Sequence, residues 1–108
     1  MFKINGEEWG IKLVSPSHPM LLKSDGNYAI GACNDETKTI YISEVLENTL
    51  MKKVLCHEVT HAAMFSYNIF LSIEQEEILA DLIATYGQEI IDIINKIFNR
   101  LKKERELH

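Results

Sequence analysis

The sequence predicts an α+β fold, a short antiparallel sheet of about three strands packed on two long helices. Three observations carry that reading. The first 42 residues hold short β-type runs broken by turn formers. From Glu44 onward the apolar period changes from two residues to three or four. A chain of 108 residues, 46% hydrophobic and 25% charged, fits one globular domain spanning residues 1–108 with one modest core.

Each element follows from local chemistry. Asn5-Gly6 suits a tight turn, and Trp9 to Val14 alternates partly between apolar and polar residues until Ser15-Pro16-Ser17-His18-Pro19 breaks it. Asp25-Gly26-Asn27 marks another turn. Tyr28–Cys33 and Lys38–Ser43 read as two strands around the turn-rich loop Asn34-Asp35-Glu36-Thr37, and Thr39-Ile40-Tyr41-Ile42-Ser43 has the β-branched and aromatic content of a half-buried strand.

A first helix is expected from Glu44 to about Phe65, capped by Ser43, with Leu46, Leu50, Val54, His57, His61 and Phe65 on its inward stripe. A linker, Ser66 to Leu71, leads to Ser72, which with Gln75 fits a capping box and opens a second helix from Ile73 to about Lys103. Gly87 is placed to bend or divide that helix. Beyond it, Ile90, Ile91, Ile94, Ile97, Phe98 and Leu101 form an apolar stripe opposed by Asp92, Lys96, Arg100 and Lys103. Core packing is its simplest use, and a homodimer through this C-terminal helix is the alternative.

Composition excludes several function classes. A formal charge of -5 argues against sequence-independent binding of nucleic acid, which requires clustered Lys and Arg. The basic run Arg100–Arg105 is interrupted by Glu104 and reads as a solvated helix end. No apolar run approaches the roughly 18 residues a membrane-spanning helix needs, so no membrane partner is expected. The polar start, Met1 to Glu8, does not resemble a secretory signal, so a cytoplasmic protein with Cys33 and Cys56 reduced is expected. His18 reads as a solvated loop residue and the terminal His108 as disordered.

The chemistry concentrates in His57-Glu58-Val59-Thr60-His61. Successive helical residues advance by about 100°, so His57 and His61 lie within roughly 40° of one another, a turn apart, and two imidazoles so placed can grip one metal ion. Glu58, about 100° from His57 and about 60° from His61, is close enough to take a proton from a water activated by that ion without being a ligand. A catalytic site normally takes three protein ligands, and the second helix offers Glu74, Glu76, Glu77 and Asp81. Glu77 and Asp81 are four apart and stack on one face. Glu77 is assigned as the third ligand, and Asp81 as the acceptor for the outer nitrogen of a ligating histidine. Glu74 and Glu76 read as first-turn acids favoured by the helix dipole. Nitrogen and carboxylate donors point to Zn2+, although nickel or cobalt fit the same set.

His57-Glu58-Val59-Thr60-His61 followed by Glu77-Ile78-Leu79-Ala80-Asp81 resembles the paired HExxH and ExxxD motifs of the gluzincin metallopeptidases, and the organisation from about Tyr28 to Gly87 is similar to their very small phage-associated and archaeal members, the minigluzincins. The resemblance implies a minimal zincin-like domain that hydrolyses peptide bonds. His57, His61 and Glu77 would hold zinc, Glu58 would serve as general base, and Asp81 would orient the first histidine. It also implies an edge strand, read here as Thr39–Ser43, that pairs with an extended peptide or protein substrate.

Larger gluzincins add an oxyanion-stabilising histidine or tyrosine from a second domain. Here the residues left for that role are Tyr67, His18 and Tyr28, while Tyr86 lies about 180° from Glu77 on its helix. The alternatives are a non-catalytic or latent zinc-binding interaction domain, with a thiol such as Cys33 blocking the site in a latent form, and a mini-domain in which zinc contributes folding energy. Cys56, about 100° from His57, is expected to be a small packed thiol.

Overall fold

The computed structural model describes residues 1–107, and the expectation for His108 lies outside them. The chain folds as α+β: strands β1 (Phe2–Ile4), β2 (Glu7–Val14), β3 (Gly31–Asn34) and β4 (Thr39–Ser43), then helices α1 (Asn48–Ser66) and α2 (Ile73–Glu106). Two tight turns follow from left-handed backbone where the sequence allows it. Asn5 and Gly6 (φ 49° and 79°) close β1 onto β2 in antiparallel pairing, and Lys38 (φ 51°) ends the loop between β3 and β4.

The sheet order is β1-β2-β4-β3, and β2 pairs with β4 in parallel, Gly10 opposite Thr39 through Val14 opposite Ser43. The sheet is therefore mixed and four-stranded, close to the about three strands expected, with β2 and β4 as its parallel pair. This corrects the expected edge. Thr39–Ser43 lies inside the sheet, hydrogen-bonded to a strand on either side, and all five of its residues are buried. The physical reason is that the strand is apolar on both faces. Ile40 and Ile42 pack with Trp9 and Ala62 against α1, while Tyr41 packs with Val14 and Leu21 on the other face. The edge on that side is β3.

Helix α1 begins four residues later than expected. Ser43 cannot cap it, because its N–H donates to Ile30 O at 3.0 Å and Glu44 N–H donates to Val14 O at 2.9 Å, which keeps the chain extended. Glu47 caps the helix instead, its carboxylate accepting from Leu50 N at 2.7 Å and Thr49 N at 3.3 Å. Of the expected inward stripe, Val54, His57 and His61 turn inward, whereas Leu50 and Phe65 are exposed at its two ends. The C-terminal end of α1 is tied to the first hairpin: Trp9 Nε1 donates to Ser66 Oγ at 2.8 Å, and Asn5 Nδ2 to Ser66 O at 3.0 Å.

Helix α2 opens on the expected capping box, with Ser72 Oγ accepting from Gln75 N and Gln75 Oε1 accepting from Ser72 N, each at 3.2 Å. Gly87 does not divide the helix, which runs unbroken for 34 residues. One glycine costs about 1 kcal/mol in a helix, too little to stop one flanked by good helix formers. The stripe from Ile90 to Leu101 is not core: every described residue beyond Gly87 is exposed. No helix among the described residues is long and apolar enough to cross a membrane.

Candidate metal centre

Two helices build the site. The middle of α1 presents His57 and His61 toward the first turns of α2, which present Glu76, Glu77 and Asp81. Helical spacing places the imidazoles a turn apart, with ring centroids 4.8 Å apart and planes at 65°. Their Nε2 atoms lie 3.1 Å from one another. Glu77 completes a triangle, with Oε2 3.2 Å from His57 Nε2 and Oε1 3.0 Å from His61 Nε2.

The outer nitrogens decide what those inner ones can do. His57 Nδ1 lies 3.0 Å from Asp81 Oδ1, and His61 Nδ1 lies 2.6 Å from Glu76 Oε1. An ionised carboxylate only accepts, so each Nδ1 carries the proton and, in the neutral ring, each Nε2 turns a lone pair inward. Two imidazole lone pairs and a carboxylate converging on one point form a donor set for a cation. His57, His61 and Glu77 could hold a metal ion, their donor atoms lying within 4.8 Å of one another.

His57, His61, Glu77 and Asp81 come together here, and Glu76, read from the sequence as a helix-dipole acid, joins them as the partner of His61. The pattern did contain a pointer to it. Two ligating histidines need two outer acceptors, Asp81 supplies one, and Glu76, about 100° from Glu77 on the helix, reaches the other ring. Glu76→Gln and Asp81→Asn are each expected to weaken metal binding by about 10- to 100-fold while leaving the helix content unchanged. Titration with a competing chelator reads this, and unaltered affinity in both variants would remove the outer partners from the account.

Glu58 is 6% exposed. Burial raises its carboxyl above the ordinary glutamate range, against the pull of the His61 and His57 charges and with a further push from Glu77. Its environment depends on Gly31. A Cβ there would stand 2.6 Å from Val54 Cγ1 and 3.2 Å from Glu58 Cγ, so only glycine lets β3 close down on α1 at this point. The cluster opens onto a cleft of about 620 Å³ lined by Lys23, Tyr28, Ala29, Ile30, Gly31 and Val54 together with His57, Glu58, Glu77 and Asp81.

No protein-family model, curated protein or solved structure matches this chain. The residues therefore have to be judged by their own geometry.

The remaining candidates divide cleanly. Tyr28 lines the cleft beside His57. His18 instead stacks on Tyr41 at 5.6 Å and accepts from Met20 N at 3.1 Å, which makes it part of the packing around the Pro19–Leu21 turn. Tyr67 ends α1 and Tyr86 projects from α2, both exposed. Burial, reinforced by the Glu58 charge, pushes the Cys33 thiol up to about 12, so at neutral pH it is protonated and a poor ligand. Cys56 makes only a weak contact, Sγ to Ile83 O at 3.8 Å.

Proposed function

We propose that the chain is a zinc-dependent peptide hydrolase of the gluzincin type, with zinc held by His57, His61 and Glu77 and Glu58 as general base. The observation that carries this reading is the position of Glu58, a buried carboxyl next in sequence to His57 that faces the same cleft as the donor triangle. Zinc suits the triangle. Two imidazole nitrogens and one carboxylate are the donor types zinc takes, whereas calcium takes oxygen ligands. When bound, zinc supplies Lewis acidity, polarising a carbonyl and lowering the pKa of water toward roughly 7.

The chain's own residues supply the rest. Glu58 takes a proton from the attacking water as its oxygen bonds to the carbonyl carbon. The same carboxyl then delivers that proton to the amine nitrogen as the C–N bond breaks, so the carboxylate is regenerated. Its raised pKa makes it a stronger base than an ordinary glutamate. Asp81 and Glu76 keep both rings in the tautomer that offers Nε2. Tyr28 and Lys23 are the cleft side chains able to donate to a developing oxyanion.

The substrate is an extended peptide pairing with β3 (Gly31–Asn34), the sheet edge adjoining the cleft, in place of Thr39–Ser43. The test is incubation of the zinc-loaded chain with a mixture of unstructured peptides, read by mass spectrometry. Cleavage that stops on chelation and returns with zinc supports the reading. A chain that binds zinc and cleaves none of them is instead a zinc-binding interaction domain.

A further inference from the structure

The C-terminal half of α2 leaves a large apolar face uncovered. Ile90, Ile91, Ile94, Ile97, Phe98 and Leu101 are each 45–52% exposed although they share one side of the helix. The molecule as a whole carries too much surface for a lone globule. Its accessible area is 7898 Å² where a compact 12.4 kDa monomer exposes about 6100 Å², and its radius of gyration is 17.0 Å against about 13 Å. The excess, roughly 1800 Å² in one chain, is more than the about 800 Å² that each partner buries in a standard two-chain interface.

The pattern along the stripe is that of a helix-pairing seam. Ile90, Ile94, Ile97 and Leu101 alternate at spacings of four, three and four, while the side facing away from them carries Glu89, Asp92, Asn95, Lys96, Lys102 and Lys103. Charge along α2 is segregated as well. Residues 74–92 carry six acidic side chains and no Lys or Arg, whereas residues 93–106 carry five basic side chains against two acidic. A second α2 lying parallel would set like charges side by side. Lying antiparallel about the centre of the apolar stripe, it sets the basic run 96–105 of each helix along residues 86–95 of the other, whose charged members, Glu89 and Asp92, are both acidic.

We propose that two copies of this chain associate through the C-terminal halves of α2, antiparallel, about a two-fold axis between Asn95 and Lys96. Ile94 then meets Ile97 of the second copy, Ile90 meets Leu101, and Ile91 meets Phe98, each contact made twice as an isologous interface requires. The apolar groove beside the seam, about 960 Å³ between the start of α1 and α2 and including Gly87, Ile90 and Ile91, continues the same surface toward Leu50 and Cys56. It gives the end of the partner helix an apolar surface to lie against. A second copy fits better than an unrelated protein because the apolar seam is complementary to itself about that axis, and each chain exposes more surplus surface than one partner of a standard interface covers. The inference is independent of the metal site.

The test is the solution mass of the full chain by light scattering at micromolar concentration. The expected result is twice 12.4 kDa, falling to 12.4 kDa in the double variant Ile94→Asp, Ile97→Asp with an unchanged helical circular dichroism spectrum, since both side chains are already half exposed in a single chain. Orientation is read by mixing a chain carrying Ile90→Cys with one carrying Leu101→Cys. Oxidation should link the two in the mixture and neither to itself, with the linked residues mapped by mass spectrometry. A single-chain mass for the parent leaves the face to a different partner and overturns the proposal. So do a mass above two chains, a two-chain mass in the double Asp variant, or Ile90→Cys linking to itself as readily as to Leu101→Cys.

Discussion

Glu58→Gln is expected to lower peptide cleavage by at least 10²- to 10⁴-fold, the usual share of a positioned general base, while zinc content stays at the parent level. The substitution is nearly isosteric and removes only the ability to take and return a proton. Glu58 touches no donor atom of the triangle, which His57, His61 and Glu77 form among themselves. Because the parent carboxyl sits buried at 6% exposure, replacing a charge there with an amide should not destabilise the metal-free chain at neutral pH. The pH profile adds a sign. Burial raises the carboxyl above the ordinary glutamate range, and the base is lost as pH falls through that raised value. The acid limb of kcat/KM should therefore lie above the ordinary glutamate range and disappear from whatever residual activity Glu58→Gln retains. Parent-level cleavage by the variant would remove Glu58 from the chemistry.

The second large effect is expected from Glu77→Ala. Removing an outer-shell partner lowers metal affinity by about 10- to 100-fold, so removing one of three donors should lower it by more than 100-fold. Glu77 is half exposed, so the loss is separable from unfolding, and helix content should stay within error of the parent. Zinc retained after dialysis against a metal buffer is the measurement. Equal retention in the variant and the parent would mean that the third donor lies elsewhere.

What could be read from the chain before folding follows the range of the interactions involved. The cap at Ser72 and Gln75 and the paired placement of His57 and His61 are local, fixed by residues three or four apart on one helix. Glu77 lies across a loop, and it was legible because Asp81 stands four residues on and offers the outer partner such a site needs. Glu76 was passed over because an acid in the first turn of a helix already has a sufficient reason to be there.

The misread features depend on non-local pairing. Ser43 looks like a helix cap until its N–H is claimed by Ile30 O, a strand contact thirteen residues back. Thr39–Ser43 looked like an edge because its parallel partner, β2, arrives through a connection that local patterning does not reveal. The apolar content of both phases, Ile40 and Ile42 on one face and Tyr41 on the other, was the sign that it is central. Periodicity likewise shows that Ile90 to Leu101 form an apolar face, and it is silent on what covers that face.

The central claim is that one metal ion sits between two imidazoles and one carboxylate. X-ray absorption on the zinc-loaded full chain tests it most directly. The expected result is one zinc per chain with only nitrogen and oxygen neighbours at about 2.0–2.1 Å, two of them showing the outer-ring scattering of imidazole. A sulfur neighbour at about 2.3 Å, which would bring in Cys33 or Cys56, or a chain that retains no zinc, would contradict it.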